Sequence, residues 1–231
     1  MILAGAFVDG LRFIGDNPGL LAHKALEQIE LSAAALGIGL AVALPLGVAL
    51  GHLHRGSGLA IGASIVGRAL PSLVLIGVFL TVLGIGFVNN MVALAVLATG
   101  PILTNTFDGV DRVDRDAVEA ARGMGMTGVQ ILRRVELPLA LPLLFTGLRV
   151  AAVTVVATAP IAAIAGGGGL GDVIVNQASY RLSGVIGASL CVMVLSAGVF
   201  ILLLALQAAV TPRGIRRTRV GIGPPRRKEL P

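Results

Sequence analysis

The chain has 231 residues, of which 55% are hydrophobic and 13% charged, with mean hydropathy +0.92 and formal net charge +6. Soluble domains are about 25% charged, so this chain has too little polar surface to cover a water-exposed globule; disordered chains, which are polar and highly charged, are excluded too. A bilayer is the solvent these figures fit, and the net charge does not point to nucleic acid, because seven of the 18 Lys and Arg lie in the tail between Arg213 and Lys228.

A helix that crosses the hydrocarbon needs about 20 mostly apolar residues. The stretch 2–14 is shorter and carries Asp9 and Arg12. It reads as an interfacial helix within an N-terminal segment, 1–28, with a sixth span as the alternative. A signal peptide fits less well, since the charges fall inside the apolar part and not before it. Five spans follow, at about 29–51, 59–86, 91–107, 139–165 and 185–210, which make 29–210 a transmembrane domain. Segment 108–138 is the polar interruption, and 211–231 is a basic, Pro/Gly-rich tail expected to be disordered near anionic lipid. The fold class predicted is an all-α membrane protein of five transmembrane helices.

Orientation follows the Lys/Arg balance of the loops. With five spans, one side holds Arg55, the five arginines from Arg112 to Arg134 and the seven tail cations; the other holds Arg12, Lys24 and Arg181. That places the N-terminus outside, the C-terminus in the cytoplasm and segment 108–138 on the cytoplasmic side. Tyr180 is the sole Tyr and there is no Trp, so no aromatic belt assists the assignment. Gly37, Gly39, Gly47, Gly51, Gly58, Gly62 and Gly67 suit close helix crossings, which matter in lipid, where apolar faces gain nothing by leaving water.

Within 108–138 the charges nearly balance, which argues for a folded element that docks on a partner. Asp114 or Asp116 can cap a helix through Ala117, Val118, Ala120 and Ala121. Gly123 and Gly125 break it, and Thr127 can cap a second helix through Val129, Ile131 and Leu132 that Pro138 limits. Helices this short are unstable alone, so the knob must pack on its own spans and on something else.

The same stretch resembles the loop motif of binding-protein-dependent ABC importer permeases: Glu119-Ala120-Ala121, three residues on Gly125, nine more residues, then Val135, Glu136, Leu137 and Pro138. The family pattern has Ile where Val135 stands. The resemblance implies the type I importer architecture of the methionine-permease kind, in a bacterial plasma membrane as a multi-pass subunit. It also implies that Glu119, Ala120, Ala121, Gly125, Val135, Leu137 and Pro138 seat in a groove of a separate ATPase. Small Ala120 and Ala121 allow close approach, Glu119 can make a charge-assisted hydrogen bond, and Gly125 permits a backbone turn. Partners implied are two ATPase subunits, a second permease copy or a paralogue, an extracytoplasmic solute-binding protein and membrane lipid. ATP and Mg would sit on the ATPase, and no cofactor or metal is expected on this chain.

Two further segments resemble permeases for glycine betaine, choline and carnitine. Arg68-Ala69-Leu70-Pro71-Ser72-Leu73 is similar to their Arg-Thr-Ile-Pro-Ser-Leu stretch, and Gly169-Leu170-Gly171-Asp172 to their Gly-Leu-Gly-Asp stretch. Arg68, Pro71, Ser72, Gly169, Leu170 and Gly171 are thus pathway or gate candidates. For Pro71 a kink made only for packing is an equal reading, and Arg68 can snorkel to the cytoplasmic face. Arg149 lies deep in a span and reads as a structural pair partner or a residue between permease copies. The glycine run 166–171 lacks the Lys-Ser/Thr ending of a phosphate loop and fits a hinge or broken helix on the outer side. Asn176, Gln177 and Tyr180 follow it and face outward.

His23, His52 and His54 lack ligand spacing and read as interfacial. Cys191, alone in an apolar run, reads as a small packing residue. No nucleophile–base set is present, so catalysis by this chain is not supported. A methionine or other small-solute importer is the alternative within the class. An ion-coupled carrier would need intramembrane carboxylates, which the five spans lack in their depths, and a purely structural subunit would not need the docking loop.

Overall fold

The computed structural model describes residues 2–54, 58, 62 and 71–211, all helical or turn. Helix α1 (Ile2–Asp16) ends at Asn17, whose side-chain amide and backbone N–H both donate to the Phe13 carbonyl. Pro18 then opens α2 (Pro18–His52), where its missing N–H costs nothing. The first long helix thus begins eleven residues before the predicted 29. Lys24, Glu27 and Glu30 made its start look polar, but at 1.5 Å per residue the 35-residue helix is about 52 Å long. That exceeds the hydrocarbon thickness of about 30 Å, leaving room for polar turns. Nor does α1 lie alone: it packs across the start of the last helix, where a Cβ on Gly10 would fall 2.5 Å from Ile186.

The next described helices are α3 (Ser72–Leu83) and α4 (Phe87–Asp111). The pair within 108–138 is α5 (Arg115–Gly123) and α6 (Gly128–Ile131). A π-turn (Leu132–Glu136) joins α6 to α7 (Leu137–Thr158). A 3-10 stretch (Ala159–Ala165), α8 (Leu170–Val175) and α9 (Gln177–Val210) complete the chain; α9 bends at Arg181, where φ is 56°. Among the described residues four helices are long and apolar enough to span: Pro18–His52, Phe87–Asp111, Gly128–Ala165 and Gln177–Val210. The predicted second span shows only its later part, the 12-residue α3; most of 59–70, with Arg68 and Gly67, lies outside the described residues, as does the tail from 212.

Small residues set the central crossing. A Cβ on Gly39 would sit 2.9 Å from Ala98, one on Gly47 2.7 Å from Thr106, and one on Gly51 2.8 Å from Val110. With Ala35 and Ala43, both fully buried, these residues recur every four positions and form one stripe. The partners advance in the same direction, so α2 and α4 run parallel. Gly37 lies off the stripe and meets nothing. On the other side of α4, Gly109 packs on Ala140, Leu143 and Leu144, and Gly147 on Pro101 and Asn105, which makes α7 antiparallel to it. The main apolar core lies among α2, α4, α7 and the 3-10 stretch.

Candidate functional site

The predicted docking knob forms at residue-level detail. The Asp114 carboxylate accepts from the Asp116 N–H at 3.0 Å and caps α5. The helix closes where the Met126 N–H donates to the Ala121 carbonyl and the Gly125 N–H to that of Arg122. Gly125 itself adopts φ +79°. This bonding is a Schellman closure, which needs a left-handed residue where Gly125 stands. Thr127 and Gln130 then form a reciprocal capping box that starts α6.

Pro138, expected from sequence to limit this second helix, does not end it; the helix passes through. The Leu137 N–H bonds back to the Leu132 carbonyl, an i→i+5 closure, and the π-turn so produced absorbs the donor that Pro138 lacks. The motif residues therefore divide in two. Glu119, Ala120, Gly125 and the 70%-exposed Met124 face outward, while Ala121 is buried and Val135, Leu137 and Pro138 are half-buried against the bundle. Ala121 is therefore an inner packing residue and offers no surface to a groove.

Sequence reasoning missed what holds the knob to the bundle. The side chain of Glu136, 3% exposed, receives a 2.6 Å hydrogen bond from His52 Nδ1 at the end of α2. His54 Nδ1 lies 2.9 Å from Asp111 at the end of α4. No sequence spacing links these pairs, which are 84 and 57 residues apart.

The pathway candidates fall in two separate places. Pro71 is exposed with an extended ψ of 130° and caps α3; it is not a kink inside a helix, and Ser72 is the first helical residue. Gly169, Leu170 and Gly171 are buried. A Cβ on Gly171 would fall 2.2 Å from the Pro160 oxygen, and Gly169, at φ +78°, lies against the backbone and Cβ of Gln28. The Gly169 N–H donates to Glu27 at 2.8 Å, and Lys24 bridges Glu27 at 2.9 Å and Asp172 at 2.7 Å. Gln28 donates to the Val156 carbonyl and Asn90 to that of Ala165. The glycine turn is thus clasped to the starts of both α2 and α4. Buried Gln28, Ser32, Asn89 and Asn90 gave no sequence signal, because isolated amides in apolar runs resemble tolerated surface residues.

Tyr180 stacks edge-on against Phe13 at 6.3 Å, while Asn176 and Gln177 are exposed. Arg149 makes no ion pair among the described residues; its guanidinium lies 5.2 Å from the Phe200 ring centroid and contacts Thr146. The described residues hold no cluster of three or more metal-ligating side chains.

The model of the family described as binding-protein-dependent transport system inner membrane component matches residues 37–216. The chain is 36% identical over 207 residues to the glycine betaine/carnitine/choline transport system permease protein OpuCB of Bacillus subtilis, covering 89% of this chain and 95% of that one. It is 32% identical over 164 residues to the permease protein OpuCD of the same named system and organism, covering 71% and 72%. Among solved structures it resembles a chain of the inward-facing MetNI methionine ABC transporter, with TM-score 0.72, 22% identity, and coverage of 85% of this chain and 99% of that one. At that identity the likeness establishes the fold.

Proposed function

The chain belongs to the binding-protein-dependent transport system inner membrane components, and on that premise we propose that it forms the translocation pathway of an ATP-driven importer for an osmoprotectant such as glycine betaine, choline or carnitine. It is a multi-pass transport subunit and not an enzyme; ATP is hydrolysed on a separate subunit. The observation that carries the coupling role is the knob closed at Gly125, which turns Glu119, Ala120 and Met124 away from the bundle at the polar interruption between α4 and α7. Two ATPase subunits seat there, one under each permease.

The solute class follows the Opu relatives, whose sequence likeness spans most of the chain, and not the methionine transporter, which shares the fold at lower identity. OpuCB and OpuCD belong to one named system, which supports pairing with a paralogous permease as well as with a second copy. Given five spans, the cation balance of the loops puts the N-terminus outside. In that frame the Lys24–Asp172 clasp and the turn at Gly169, Leu170 and Gly171 form an outer gate, Pro71 and Ser72 stand as pathway candidates at the far end of α3, and the solute-binding protein meets the rim at Asn176 and Gln177. Transport arises because the two gate states differ in affinity for the ATP-closed and ATP-open partner.

Reconstitution with the ATPase and solute-binding protein of the same importer tests this reading. Uptake of labelled choline, glycine betaine or carnitine should require ATP and stop with orthovanadate. Uptake that survives vanadate, or depends on a sodium or proton gradient, overturns it.

A further inference from the structure

We propose that His52 and Glu136 are a positioning pair that ties the docking knob to α2 and sets how much of the ATPase stroke reaches the membrane helices; this rests on the importer reading above. Glu136 belongs to the knob's return segment, within the π-turn, and its side chain is 3% exposed. A carboxylate buried to that degree needs a partner, and His52 Nδ1 is the partner, at 2.6 Å. With the carboxylate as acceptor, Nδ1–H is the donor. The other ring nitrogen faces Gly128, 3.7 Å from where a Cβ would stand at that first residue of α6. One imidazole thus touches both ends of the α6–π-turn segment.

His52 is the last residue of α2, and α2 is seated along α4 through Gly39, Gly47 and Gly51. A displacement of the knob that carries Glu136 therefore carries His52 and, through the glycine stripe, both central helices. A cleft lined by His54, Arg115, Glu119, Arg122 and Glu136 adjoins the pair, so the outward-facing Glu119 and the inward-facing Glu136 border the same space. His54 and Asp111 make a parallel link from the residues after α2 to the end of α4. The knob's first helix, nine residues long, is too short to hold a fixed attitude without such a tie.

The test is the number of labelled choline molecules imported per ATP hydrolysed by the reconstituted importer. His52→Asn keeps a donor where Nδ1 stands, His52→Gln moves the amide to the Nε2 position, and His52→Ala removes it. We expect the ATPase to co-purify with each variant and hydrolysis to persist. Choline per ATP should fall at least about fivefold in His52→Gln and His52→Ala, the low end of coupling between linked sites, and stay near wild type in His52→Asn. If His52→Ala does not assemble, the comparison of His52→Gln with His52→Asn decides. Equal ratios in all three variants, or transport and hydrolysis falling in proportion, overturn the proposal. Wild type that shows no ATP-dependent uptake overturns instead the importer reading on which it rests.

Discussion

Replacing Gly171 by alanine tests the glycine turn at its tightest point. The added Cβ would lie 2.2 Å from the Pro160 oxygen, 2.8 Å from the Pro160 carbonyl carbon and 2.8 Å from the Ala163 Cβ. Ordinary contact begins near 3.4 Å, so α8 and the 3-10 stretch must part by about 1 Å, and two of the three obstructing atoms are backbone. Overpacking of this kind costs about 1–3 kcal/mol, against about 1 kcal/mol gained from replacing glycine in a helix. Moving α8 also pulls Asp172 from Lys24 and Gly169 from Glu27. For a chain of this size a net loss of about 2 kcal/mol lowers a thermal midpoint by about 4–8 °C. Gly37→Ala is the control, since a Cβ there meets nothing within 4 Å. Thermal unfolding of the two purified variants in detergent, with choline uptake alongside, reads the difference. Equal midpoints and equal uptake for the two would refute the packing argument and, with it, the placement of the glycine turn against Pro160.

Glu119→Lys reverses an outward-facing charge of the knob and should reduce co-purification of the ATPase, while the permease's own unfolding midpoint stays unchanged; a full complement of bound ATPase would count against the docking role. Gly125→Ala forces a side chain into the left-handed region, at about 1 kcal/mol, with no clash because nothing lies within 4 Å. Amide exchange at Met124 and Met126 should quicken, and unchanged exchange would mean the Schellman closure is not what fixes the turn. Lys24→Ala leaves Asp172 without its cation, so proteolysis or cysteine labelling at 166–169 should accelerate, and protection equal to wild type would rule out the clasp.

Much of the knob is legible in sequence because its signals are local: a capping acid, a glycine needing positive φ and a Thr-x-x-Gln box act over a few residues. The glycine stripe of α2 is legible as a pattern, though Gly37 shows that presence alone does not make a contact. Other features were not readable. The start of α2 was hidden because Lys24, Glu27 and Glu30 look like a membrane boundary, while the structure uses Lys24 and Glu27 to hold a turn more than 140 residues away. Pro138 read as a stop because the π-turn that accommodates it has no composition of its own. The His52–Glu136 pair depends on tertiary proximity and nothing else. Arg149 meets the Phe200 ring of α9, a contact between two helices that no spacing within either one announces.

The passage of the chain through Pro138 without a joint has a mechanical result. From Gly128 to Ala165 the backbone is one continuous helical segment of 38 residues, about 57 Å long at the α-helical rise. Tilting it as one body by about 5° about its Gly128 end sweeps the Ala165 end through about 5 Å, more than the length of any hydrogen bond that fastens Gly169 or Asp172 to α2. In the importer proposed above, a small push at the knob would thereby be magnified into an unlatching stroke at the glycine turn.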